Sequence, residues 1–96
     1  MPEKDLVFAI FGEYKLFDND ILNRAVDTLT EREKFVLIFR FGLRGFPELT
    51  LKGISIKLSN IKTGENHISV ERVRQIEAIA LRKMRHPSRY KTFILD

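Results

Sequence analysis

S-V-E-R-V-R-Q-I-E-A-I-A-L-R-K-M-R-H-P-S-R, running from Ser69 to Arg89, is the stretch on which the reading of this chain turns. Ser69 predicts a helix start, because its hydroxyl can accept from a backbone N–H that the first helical turn leaves unpaired. Glu71 faces the positive end of the helix dipole, and Arg82, Lys83 and Arg85 lie near the negative end. Pro87 forbids continuation and pushes His86 out of helical geometry. At 3.6 residues per turn this is one helix of about four and a half turns. Val73, Ile76, Ala80 and Met84 recur at helical spacing and form an inward stripe, with Leu81 at its edge.

The opposite face carries Glu71, Arg74, Gln75, Ala78, Arg82 and Arg85. It offers forked guanidiniums, an amide that can bond adenine bidentately and a carboxylate that can accept from cytosine. The small Ala78 permits close approach. A solvated amphipathic helix shows the same pattern, and periodicity does not separate the two. The uneven charge distribution suggests an anionic partner, and fits a dipolar protein without one equally well. Met1 to Glu33 holds four Lys/Arg against eight Asp/Glu, whereas Ser69 to Thr92 holds seven against two. Double-stranded DNA is the leading candidate for the basic end.

Working outward, Thr30-Glu31-Arg32-Glu33 predicts a capping box at the start of a helix that runs to about Phe41, with Gly42 as its left-handed terminator. Phe35 to Phe39 and Phe41 are apolar nearly all round, which predicts core plus a partner-facing surface. Asp20 is expected to cap a helix from about Ile21 to Leu29, with Ile21, Ala25, Val26 and Leu29 inward. Thr50 is expected to cap a short helix to about Leu58, with Leu51, Ile54 and Leu58 inward; Gly53 inside it costs roughly 1 kcal/mol relative to Ala. Met1 to Asp20 reads two ways. Leu6, Ile10, Tyr14 and Phe17 make a helical stripe, favoured slightly, yet Gly12-Glu13 could be the turn of a hairpin. After Pro87 a final helical turn or two is expected, with Phe93 and Leu95 folding back on the core.

The run E-R-V-R-Q-I-E-A-x-A-L-R-K-x-R-H-P-S-R closely resembles the end of region 4.2 of the bacterial sigma-70 family, where the recognition helix reads the promoter −35 element. L-T-E-R-E-K-F-V-L-I-F-R-F-G-L, from Leu29 to Leu43, resembles the start of region 4.1. The resemblance covers about Ile21 to Leu95. It implies an all-α domain of four to five helices with a C-terminal helix-turn-helix, residues 21–96, preceded by an arm of unknown role, residues 1–20. Residues 60–67 read as an insertion in the turn, from which Lys62 and His67 could reach a phosphate; a tolerated surface insertion is the alternative, since long surface loops cost little.

What the resemblance implies is a DNA-binding transcription initiation module. Glu71 and Gln75 would read bases and Arg74 would contact backbone or base; Arg74 and Arg82, with Arg72 and Lys83 on the flanks, would supply charge, and Arg85 joins the DNA-binding set. The region 4.1 helix would help seat the domain on the flap of the RNA polymerase β subunit, with Phe35, Ile38 and Phe39 as the side chains to inspect. Promoter DNA, the polymerase core and possible anti-sigma or activator proteins are the implied partners, in the bacterial cytoplasm at the nucleoid. Val70 departs from the pattern, since the family has Arg before that Glu. Valine can touch a thymine methyl but cannot bond guanine, so a standard −35 preference is weakened. Nothing matches the family's region 2, so the chain is not expected to start transcription alone; its end resembles that of primary sigma factors. A polymerase-binding regulator without standard −35 specificity, or a dimeric helix-turn-helix repressor, remain as alternatives.

No catalytic arrangement emerges. His67 and His86 stand apart with no carboxylate at ligand spacing, and Gly42 and Gly45 follow a helix rather than a strand. Glu71 and Glu77 project from different faces. No enzyme activity, metal or cofactor is expected. With no cysteine there is no disulfide framework, and the longest apolar runs are too short to span a bilayer. No signal-peptide pattern is read at the N-terminus.

Overall fold

The computed structural model describes residues 2–59 and 68–95, and the described residues form six α-helices and one 3-10 turn. These are α1 (Pro2–Phe11), α2 (Asn19–Asp27), α3 (Glu31–Phe41), the 3-10 turn (Leu43–Gly45), α4 (Leu51–Ser59), α5 (Val70–Met84) and α6 (Pro87–Phe93). The all-α expectation holds: α2 to α6 give the expected domain five helices, and α1 lies in the segment ahead of it. The expected insertion at residues 60–67, with Lys62 and His67, lies outside the described residues.

Local signals account for most of the boundaries. At α3 both halves of the capping box form: the Glu33 N–H donates to the Thr30 hydroxyl, and the Glu33 carboxylate accepts from the Thr30 N–H. Gly42 ends the helix at φ 65°, where a Cβ would lie 3.0 Å from the Phe46 carbonyl oxygen. At α4, Thr50 caps the backbone N–H of Gly53.

The N-terminal segment is helical rather than a hairpin, and its stripe is shorter than expected. Gly12, at φ 74°, terminates α1 by donating its N–H to the Phe8 carbonyl. Leu6, Val7 and Ile10 are buried against α3 and α5, whereas Tyr14 falls beyond the break and is exposed. The arm therefore contributes to the core through Leu6, Val7 and Ile10. The cap of α2 is Asp18, not Asp20, so the helix starts earlier than expected. The cause is tertiary. Phe17 pairs with Ile94 in an antiparallel bridge, and the Asp18 N–H donates to the Phe93 carbonyl, which holds Asp18 extended. On α2, Leu22, Ala25 and Val26 are fully enclosed, while Ile21 is half-buried. At the C-terminus Phe93 packs into the core as expected, but Leu95 is exposed.

One apolar core runs through all six helices. Two ion pairs tie α3 to α5 across it. Lys83 donates to both carboxylate oxygens of Glu33 at 3.0 and 2.8 Å. Arg40 donates to Glu77 at 3.2 Å and to the Leu49 carbonyl at 3.3 Å. The 3-10 turn is fixed separately. Arg44, in left-handed geometry at φ 59°, donates to the Asn23 carbonyl and to the Asp27 carboxylate, both at 2.9 Å. These bonds to α2 offset a backbone conformation that costs an ordinary residue about 1–2 kcal/mol.

Candidate nucleic-acid interface

The candidate surface is the outer face of α5, and its orientation follows from what the inner face buries. Val73, Ile76, Ala80 and Met84 are at most 3% exposed, so rotation of the helix about its axis would open the core. Ser69 caps the helix by accepting from the Arg72 N–H at 3.0 Å. At the other end Arg85 closes α5, and His86 leaves helical geometry to cap α6. The helix is unbroken from Val70 to Met84.

Glu71, Arg72, Arg74, Gln75, Ala78, Arg82 and Arg85 are all exposed. The first four crowd the opening turns of α5. Arg74 grips Glu71 through a forked contact, with Nη2 at 2.6 Å from Oε1 and Nε at 3.1 Å from Oε2. Both side chains are more than half exposed, so this pair contributes on the order of 0–1 kcal/mol and can be exchanged for another partner. Arg72 Nη1 stands 3.5 Å from the Gln75 side-chain oxygen. Arg82 lies further along. Arg85 borders a hollow lined by Phe11, Lys15, Tyr90 and Ile94, at the end of α5 away from that cluster.

The entry to α5 is held by two side chains whose role the sequence reading missed. The Ser55 hydroxyl donates to the Ile68 carbonyl, and the Ile68 N–H donates to the Ser59 oxygen at 3.1 Å. Ser59 in turn donates to the Ser55 carbonyl at 2.7 Å. Both serines lie on α4 one turn apart, so a packed helix sets where α5 begins. The signal available in sequence was the i, i+4 spacing of two hydroxyls beside Ile54 and Leu58.

On α3 the three side chains expected to face a partner are not equivalent. Ile38 and Phe39 are in the core, at 4% and 7% exposed. Phe35 is half-buried and lines a groove with Glu31, Arg32, Leu58 and Ile68. Of the three, Phe35 is the one with surface to offer.

Glu33, between α3 and α5, has its acidity shifted by its surroundings. Burial by itself would raise its carboxyl, but hydrogen bonds from Lys83 and Thr30, with the Lys83 charge, outweigh it and hold it below the ordinary value.

Comparison with known proteins bears on the whole arrangement. The family model for sigma-70, region 4 matches residues 25–86. This chain belongs to the sigma-70 region 4 family. That segment takes in α3, α4 and α5 whole, together with the end of α2. The chain is also similar to an RNA polymerase sigma factor SigA from Bacillus sp, with 47% identity over 70 residues. The match takes in 73% of this chain and 16% of the relative, so the chain spans a small fraction of that protein's length. For a region 4 domain, α1 and α6 lie outside the matched residues, yet both are packed on the matched unit. No described helix is long and apolar enough to cross a membrane.

Proposed function

We propose that this region 4 domain recognises −35-type promoter DNA by laying α5 in the major groove, and docks on RNA polymerase through the flap of the β subunit. The observation that carries the first half is the clean division of α5. Its apolar stripe is sealed in the core while Glu71, Arg74, Gln75, Arg82 and their neighbours stand in solvent on one unbroken helix. Specific binding needs base contacts for identity and phosphate contacts for position. Glu71 and Gln75 supply acceptor and amide groups for base edges. Arg72, Arg74 and Arg82, with Arg85 at the margin, supply positive charge. On entering the groove Arg74 exchanges its carboxylate partner for a phosphate or a guanine edge, releasing Glu71 to accept from cytosine.

For the polymerase, Phe35 and the groove beside it offer an apolar seat on the α3–α4 side. Membership of the family and the similarity to a sigma factor of RNA polymerase support this assignment. The experiment is a mobility shift of the full chain on duplexes with and without a −35 element, using Arg74→Ala and Gln75→Ala. Both variants are expected to lose affinity, and Gln75→Ala to lose selectivity as well. If neither changes, α5 is not the reader. Capture by a β-flap fragment, weakened by Phe35→Ala, tests the second half; a dimeric repressor would not be captured.

A further inference from the structure

The opening turn of α5 carries one side chain that the charged face does not explain. Val70 is the first residue of the helix and is 42% exposed. Among the described residues it is the one large apolar side chain left exposed on α5. Its neighbour one turn on, Arg74, could have folded over it, since residues four apart share a row on a helix. The Arg74 guanidinium instead turns to Glu71, with three donor–acceptor contacts between 2.6 and 3.1 Å. The valine side chain is left partly exposed beside a pair of polar readers.

We propose that Val70 selects thymine at the base pair facing the start of α5. The inference rests on the reading that α5 enters the major groove. In that groove the 5-methyl of thymine is the one apolar group a base presents, and the N-terminal residues of a recognition helix are those that reach base edges. Valine in a helix holds nearly a single rotamer, so packing a methyl against it loses little side-chain freedom. It has no donor or acceptor for a phosphate or a guanine edge.

The test begins with duplexes recovered by the full chain from a randomised DNA pool. Each thymine of the recovered site is replaced in turn by deoxyuridine, which removes the methyl and keeps the pairing. At one position the replacement weakens binding about fourfold, the worth of one buried methyl group. With Val70→Ala that difference disappears while the other positions keep theirs; the exposed site and the good helix propensity of Ala leave folding intact, checked by circular dichroism. Val70→Arg moves the preference at that position to guanine. If selective binding depends on Gln75 but the uridine scan is the same for wild type and Val70→Ala, the thymine assignment is overturned and the reading of α5 stands. If no sequence is recovered and binding is unselective, both fall together.

Discussion

Glu33 is placed to test how α5 is held, because one carboxylate does two jobs that substitutions can separate. It closes the capping box of α3 and it accepts both contacts from Lys83 on α5, while itself only 8% exposed. Glu33→Gln keeps a side chain that can reach back to the Thr30 N–H and removes the charge. The Lys83 side chain is 39% exposed, so solvent screens the pair, and its loss costs about 1 kcal/mol. Glu33→Ala removes the cap as well, adding about 1 kcal/mol. Lys83→Met costs about 1–3 kcal/mol, because it leaves a buried carboxylate with less of its bonding satisfied.

Acidity supplies an independent check. The folded carboxyl of Glu33 sits below its ordinary value, so its stabilisation is present above the usual carboxylate range and is lost as pH falls through the folded value. The gap between wild type and Glu33→Gln should therefore be widest near neutrality and narrow as pH falls through and below the usual carboxylate range. Urea unfolding of the full chain, followed by far-ultraviolet circular dichroism at several pH values, measures both effects. Wild-type stability for Glu33→Gln at neutral pH, or a gap that does not narrow in acid, would refute the account.

Other perturbations probe separate parts of the molecule. Leu6→Ala, in a side chain with no exposure, should cost about 3 kcal/mol in denaturant unfolding; a loss under about 1 kcal/mol would mean α1 is only loosely attached. Gly42→Ala should cost about 2 kcal/mol or more in the same assay, since the backbone is left-handed there and the new Cβ meets the Phe46 carbonyl oxygen at 3.0 Å. Arg82→Ala should weaken DNA binding alike on all sequences and lower the salt dependence by about one counterion, measured as the slope of log affinity on log salt.

The parts of this fold that sequence revealed are those fixed by short-range chemistry. Ser69, the Thr30–Glu33 box, Gly42 and Pro87 each act within a turn of where they sit, and the structure uses all of them as expected. The inward stripe of α5 was legible for the same reason, since its spacing repeats at the helical period. What stayed hidden depends on residues distant in sequence. Asp18 displaces Asp20 as a cap because the far end of the chain holds it extended. Ile38 and Phe39 sit in the core because α3 is covered on several sides, which an all-apolar run cannot assign to one neighbour or another. The Lys83–Glu33 contact joins positions fifty apart, and nothing local marks either residue as half of a pair. Within the candidate surface the residue types were readable, but the mutual grip of Arg74 and Glu71 was not.

The antiparallel bridge of Phe17 with Ile94 is flanked by bonds from Asp18 to Phe93 and from Leu95 to Leu16. It makes nearly the whole polypeptide a ring with a latch. Closing so wide a ring is entropically costly until the helices between have condensed, so the latch belongs to the end of folding rather than its beginning. Any tether attached ahead of Leu16 and any cargo attached behind Leu95 would start from the same corner of the molecule, before α1 carries one of them away.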